Sequence, residues 1–185
     1  MDVLTAIHTR HSISKMKPDP VARELIQKLL EAGNDAPNHH RLRPWSFFVL
    51  TGAARERLGE VFVAVQRDRQ PDQPPEAYDK TRALPLRAPV VIAVAADKPT
   101  EDRTPEIENV CAVAAACENM LLAAHALGLG AIWRTGTWAS EPKVKEFFGL
   151  TPDQPLLAFI YVGYEAEGNV AKERPGVDDR VRWME

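Results

Sequence analysis

Arg10-His11-Ser12-Ile13-Ser14-Lys15 brings two lasting cations, two hydroxyls and a run of backbone amides together within six residues. That set suits a phosphate monoester. Arginine offers a planar fork of donors, serine one directed hydrogen bond and lysine a mobile point charge. A solvated helix end would carry the same residue types, because cations also favour a helix C-terminus. A second group, Ala36-Pro37-Asn38-His39-His40 followed by Arg43-Pro44-Trp45, sets amide and imidazole groups on a proline-stiffened loop. It could hydrogen-bond the edge of a heteroaromatic ring, or simply shape a turn. Neighbouring histidines also raise the question of a metal, but no third ligand follows at a suitable spacing. In the third group, Gly128-Leu129-Gly130-Ala131-Ile132-Trp133-Arg134-Thr135-Gly136, an apolar strand empties into charge and hydroxyl. The bland counterpart is a strand end with a turn.

Positioning these groups falls to the elements around them. Val3, Leu4, Ala6 and Ile7 predict a short amphipathic helix over residues 2–10, ending at the first cluster. Asp19-Pro20 predicts a second helix, with Asp19 as N-cap and Pro20 at its first position, apolar along Val21, Leu25, Ile26, Leu29 and Leu30, and stopping at Gly33. Residues 34–44 read as loop and Trp45–Leu50 as a strand. A helix over 53–67 follows, then a proline-rich, charged surface excursion from Arg69 to Pro89 with room for one short helix. Pro89–Ala96 is a fully apolar strand. Thr104-Pro105 opens the longest helix, alanine-rich and apolar on more than one face, which stops near Gly128. A strand at 131–133, a helix from Glu141 to Phe148 begun by Ser140, and a core strand from Leu156 to Val162 complete the order. A charged tail after Gly168 should wrap the surface or a neighbour. The pattern predicts one α+β domain over 1–185. Gly128-Leu129-Gly130 follows a helix and lacks a third glycine, so it is no dinucleotide fingerprint, and no P-loop is present.

Composition narrows the function classes. The 185 residues are 45% hydrophobic, enough for a core, and carry a net charge of −3 from 23 basic and 26 acidic side chains. That balance argues against nucleic acid as partner. Cys111 and Cys117 fall about 240° apart on a helix, too divergent to bridge, and point to a reducing compartment with buried thiols. No run reaches the roughly 18 uninterrupted apolar residues expected of a membrane span. The N-terminus does not read as a secretory signal, so the expected location is the cytoplasm.

Taken together, the three clusters resemble the FMN-dependent nitroreductase family. Arg10-His11-Ser12 after a short helix resembles its opening motif. Ala36-Pro37-Asn38-His39 with Pro44-Trp45-Ser46-Phe47-Phe48-Val49 resembles its second block, and Ala123–Gly130 leading to Trp133 its third. The likeness runs in the family's order from residue 2 to about 163, and Arg134-Thr135-Gly136 narrows it to a compact subgroup. The resemblance implies an α+β sandwich, its mostly antiparallel central sheet flanked by helices, dimeric, with FMN at the subunit interface. Arg10, His11 and Ser12 would grip the phosphate and ribityl chain from one subunit, and Asp35 and His39 would reach the flavin from the other. Trp133, Arg134 and Thr135 would complete the first subunit's site, with Arg134 a second phosphate cation. Residues 123–128 would lie where the nicotinamide nucleotide approaches.

Three positions depart from that pattern. Ser14 stands where many members are basic, Arg43 where glutamine commonly precedes Pro-Trp, and Asp35 at a site elsewhere basic. An anion near the flavin opposes negative charge on its reduced edge, which predicts altered acceptor preference or redox tuning. The implied activity is hydride transfer from NADH or NADPH to FMN and on to nitroaromatic, quinone-like or related small acceptors. No protein nucleophile is required, since the flavin carries the chemistry. The rivals are dehalogenation, enone reduction or flavin breakdown on the same fold, and a flavin carrier without turnover.

Overall fold

The structure, a computed structural model, describes residues 1–99, 105–170 and 173–185. Four strands form one antiparallel sheet: β1 (Trp45–Leu50), β2 (Val90–Ala96), β3 (Gly130–Arg134) and β4 (Leu156–Gly163), in the order β1-β2-β4-β3. β2 lies inside and is buried along its whole length, which is why it reads as an unbroken apolar run rather than an alternation. Side chains alternate across the sheet. Val90, Ile92, Val94, Ala158, Ile160 and Val162 pack on one face with Leu29, Val113, Cys117 and Met120. Val91, Ala93, Ala95, Phe159 and Tyr161 pack on the other with Leu58, Phe62 and Val144. The result is the expected α+β sandwich.

The first face is covered by α2 (Arg23–Asn34) and α5 (Glu106–Ala126), with α1 (Val3–Thr9) packed on α5; the second by α3 (Ala53–Arg69), α6 (Thr137–Ser140) and α7 (Pro142–Phe147), with α4 (Pro75–Arg82) packed on α3. Asp2 caps α1 by accepting from the Thr5 N–H at 3.0 Å, and its hydrogen bonds to the Thr5 hydroxyl and amide hold its carboxyl below the usual range. α5 is the one described helix long and apolar enough to cross a membrane by length and composition, but its buried face packs on the sheet and α2. It ends as expected at Gly128, whose φ of +75° lets the Leu129 N–H reach the Ala124 carbonyl at 2.8 Å. Burial pushes the Cys117 thiol up to about 12, with Glu118 adding to the shift, whereas Cys111 is exposed.

Three expectations are corrected. α2 begins at Arg23, not at Pro20, and Asp19 caps nothing there. The Lys17 N–H donates to the Tyr164 carbonyl at 2.8 Å and Met16 bridges Glu165, so the chain leaves the sheet extended and buries Val21 before it can turn. Gly33 lies inside the last turn of α2 rather than beyond it. The 69–89 excursion holds the one short helix it had room for: α4 and a 3-10 turn at Leu84–Arg87 fold back on α3, with Tyr78, Thr81 and Pro85 buried and the Tyr78 hydroxyl donating to Gln70 and Pro71 carbonyls at 2.9 Å. Ser140 ends the unforeseen α6, its hydroxyl donating to the Thr137 carbonyl at 2.8 Å, and α7 starts at Pro142 behind Glu141. Thr104, read as the opening of α5, lies outside the described residues, and the helix begins after Pro105.

Candidate functional site

The segment that leaves α1 is fixed from three sides. The Ile13 N–H donates to the Ala131 carbonyl of β3 at 3.0 Å, and the Ile13 side chain is buried against Gly130. A Cβ at Gly130 would stand 2.8 Å from Ile13 Cγ2, so glycine is what allows this approach. From α5, His125 Nε2 pairs with the Thr9 hydroxyl at 2.7 Å and Glu118 Oε1 lies 3.4 Å from Arg10 Nε. Residues 118 and 125 are two turns apart and share a helix face. From the tail, Asn169 Oδ1 accepts from the Ser14 and Lys15 amides, both at 3.1 Å, while its Nδ2 donates to the Lys15 and Ala166 carbonyls at 2.9 and 2.8 Å. Arg174 donates to the Ile7 carbonyl at 3.0 Å and also to the Arg10 carbonyl. Between segment and tail lies a cleft of about 560 Å³ lined by Arg10, His11, Ser12, Ser14, Asn169 and Arg174 among others. Arg10, His11 and Ser12 are thus brought to one wall, as their spacing suggested.

The second cluster stands apart. Asp35 closes α2 with its backbone N–H on the Glu31 carbonyl at 3.0 Å, and its side chain is exposed. Asn38 braces the loop, donating to the Ala36 carbonyl at 3.1 Å and accepting from the Arg43 N–H at 2.9 Å. The Arg43 fork closes on Asn34 Oδ1 at 3.0 and 2.6 Å. His39 is 62% exposed and its Nδ1 meets Glu108 Oε2 at 2.9 Å. It lines a shallow cleft of about 360 Å³ with Pro37, Ile107, Glu108 and Cys111. Among the described residues, no group of three His, Cys, Asp or Glu side chains could hold a metal.

The third cluster divides across the sheet, as strand alternation demands. Trp133 packs on the α5 face and its indole N–H donates to the Leu157 carbonyl at 3.2 Å. Arg134 lies on the opposite face, its guanidinium 5.8 Å from the centre of the Tyr161 ring. Burial raises the Tyr161 hydroxyl pKa, and Arg134 and Arg87 oppose that rise. Thr135 is exposed beside Gly136, whose φ is +96°. Within one subunit, neither residues 133–135 nor Asp35 and His39 line the cleft that holds Arg10. Sequence reading missed Asn169, Arg174, Glu108 and Glu118. The charged tail was noted, but which of its residues turned inward had no periodic signal.

A family model described as the nitroreductase family matches residues 7–164, a span that runs from within α1 to the end of β4 and holds both Arg10 and His39. The chain belongs to the nitroreductase family. It is similar to the Escherichia coli (strain K12) protein named "Putative NAD(P)H nitroreductase YdjA", with 35% identity over 88% of each chain. A Rhodospirillum rubrum protein named 5,6-dimethylbenzimidazole synthase is 31% identical over 95% of this chain and 85% of its own. Among solved structures, a Desulfovibrio desulfuricans protein described as a "putative nitroreductase in complex with fmn" superposes with a TM-score of 0.76 at 28% identity, covering 100% of this chain and 98% of that one.

Proposed function

We propose that this chain is an FMN-dependent oxidoreductase that takes hydride from NADH or NADPH and reduces nitroaromatic, quinone-like or related small acceptors. The observation that carries the reading is the cleft walled by Arg10, Ser12, Ser14 and Arg174. The donor set fits a phosphate with a polyol chain attached. Two guanidinium groups supply charge, two exposed serine hydroxyls supply directed bonds, and about 560 Å³ leaves room for more than the phosphate alone. Bound FMN would supply the hydride and electron chemistry. Arg10, with Arg174, neutralises the phosphate; His11 and Ser12 orient the chain beside it. Trp133 gives an apolar wall at the end of β3, and Arg134 and Thr135 extend polar groups beyond it.

Asp35 and His39 lie on a separate wall, so we assign them to the flavin of a second subunit in a homodimer. The protein's outer surface supports that assembly. Val3, Leu4 and Ile7 of α1 and Ile107 of α5 are exposed at 71, 66, 40 and 63%, an apolar set for which one subunit offers no cover. Free thiols at Cys111 and Cys117 suit the cytoplasm.

Absorbance and reconstitution test the reading. The purified protein should be yellow, or become so with FMN, and Arg10→Ala should weaken FMN by about 1.5–3 kcal/mol while leaving riboflavin nearly unaffected. Equal losses for both flavins would remove Arg10 from the phosphate. A second reading, oxygen-dependent breakdown of the reduced flavin, has the synthase-named relative in its favour. It is distinguished by loss of the flavin chromophore under air and reductant, where a reductase would instead consume acceptor with its flavin intact.

A further inference from the structure

Between Glu108 and His125 the alanine-rich helix α5 carries a single charged side chain, Glu118. Its ion partner is Arg10, with Glu118 Oε1 lying 3.4 Å from Arg10 Nε. The arginine side chain is 20% exposed and the acid 48%, so the cation is held inward and the acid sits at the rim. A pair that is half open to water adds little to stability, which leaves its placement to be explained by what it does for Arg10. The backbone of Arg10 is already pinned. Its N–H donates to the Ala6 carbonyl at 2.9 Å, its carbonyl accepts from Arg174, and the Thr9 hydroxyl before it pairs with His125 at 2.7 Å. What remains free is the side chain, and among the described residues no hydrogen bond or ion pair other than the one to Glu118 engages it. Arg10 lines the cleft of about 560 Å³ and Glu118 does not. The acid therefore stands behind the arginine, on the α5 side.

We infer that Glu118 is a positioning residue for the phosphate anchor: it engages the Nε edge of Arg10 and leaves both Nη groups for the cleft. This rests on the reading above that Arg10 takes the phosphate of FMN. Two effects of the acid oppose each other. An arginine gives up much of its rotamer freedom when it closes on a ligand, and one oriented beforehand loses less on binding. A carboxylate near a phosphate also repels it. That repulsion acts across the guanidinium and from a half-exposed group, where water and salt screen it. Orientation acts on Arg10 directly, at 3.4 Å, and so decides the sign. Side-chain chemistry separates the two. The glutamine amide keeps an oxygen that accepts from the Arg10 Nε–H but carries no charge, whereas alanine keeps neither.

The test titrates FMN and riboflavin by calorimetry into the purified full chain, washed free of flavin. Glu118→Ala should weaken FMN about three- to tenfold, the range expected when one long side chain is no longer ordered in advance. Glu118→Gln should bind FMN within about twofold of the wild type or more tightly, and riboflavin, which lacks the phosphate, should stay within about twofold in both variants. In an Arg10→Ala background, Glu118→Ala should change FMN affinity by less than about twofold, because the group it positions is gone. FMN affinity unchanged or raised in Glu118→Ala, an equal loss for riboflavin, no rescue by glutamine, or the same loss without Arg10 would each overturn the inference. Inorganic phosphate, followed through the Ser12 and Ser14 amide signals, is the probe that needs no flavin. The wild type and Glu118→Gln should bind it alike, and Glu118→Ala more weakly. A protein that binds phosphate in that order but takes up no FMN would defeat the flavin reading and leave the role of Glu118 standing.

Discussion

The segments Thr9–Lys15 and Asp35–Arg43 carry similar chemistry, yet the fold treats them in opposite ways. Both offer arginine, histidine and amide donors. The first is sewn to β3, α5 and the tail by backbone and side-chain hydrogen bonds, with ordinary negative φ throughout. The second is braced only at its base, by Asn34 and Asn38, and its crown is left-handed, cationic and exposed. A phosphate anchor gains from the first design, since a charge-assisted contact repays accurate placement. A surface that must meet a second subunit or a visiting donor gains from the second. Similar residues thus become an anchor or an outward face according to how their backbone is held.

The sharpest way to break that contrast is to loosen the anchor from below. Gly130→Ala would put a methyl 2.8 Å from Ile13 Cγ2, and Ile13 is only 5% exposed, with little room to retreat. The expected cost is about 1–3 kcal/mol of stability, read from the denaturant midpoint at unchanged slope. FMN affinity should fall with it while the His39 wall is undisturbed. A loss near zero would show that the segment rides loosely on β3. Next in size is Asn169→Ala, which strips the acceptor from two amides and the donor from two carbonyls in an exposed setting. About 1 kcal/mol should go, and the Ser14 and Lys15 amides should exchange hydrogen faster than in the wild type. Unchanged exchange at those two amides would remove Asn169 from the clamp.

The same contrast explains what could be read from residues alone. β1 was legible to its ends because an apolar aromatic run from Trp45 to Leu50 is bounded by Pro44 and Thr51-Gly52, and α5 was legible because its period and Gly128 are local signals. The start of α2 was not, since Asp19-Pro20 is a sound local cap and the bonds that override it come from Tyr164 and Glu165, far along the chain. The short helix allowed within 69–89 could not be placed, because Pro74-Pro75 reads equally as a turn and as a first helical position, and burial of Tyr78 settles it. Arg10 to Ser12 could be found from their types and spacing. Asn169 and Arg174 could not, because their value lies in reaching a segment 155 to 167 residues earlier.

The smallest expected effect tests the outward half. Arg41 holds φ of +57° without a partner for its side chain among the described residues, so nothing local repays the conformation. A left-handed L-residue costs about 1–2 kcal/mol. Glycine removes that cost but adds freedom to the unfolded chain, worth about 0.5–1 kcal/mol. Arg41→Gly should therefore stabilise the protein by roughly 0.5–1 kcal/mol, the difference of those two terms. Arg41→Ala keeps the Cβ and the strain, so it should move stability by less than about 0.5 kcal/mol, as surface changes commonly do. The pair isolates backbone strain from lost charge, because both variants lack the cation. The same glycine at Arg10, where φ is −58°, should have the opposite sign, since no strain exists there to relieve. If chemical denaturation found Arg41→Gly no more stable than Arg41→Ala, the turn would be unstrained, and the contrast between a relaxed inner segment and a strained outer turn would lose its physical basis.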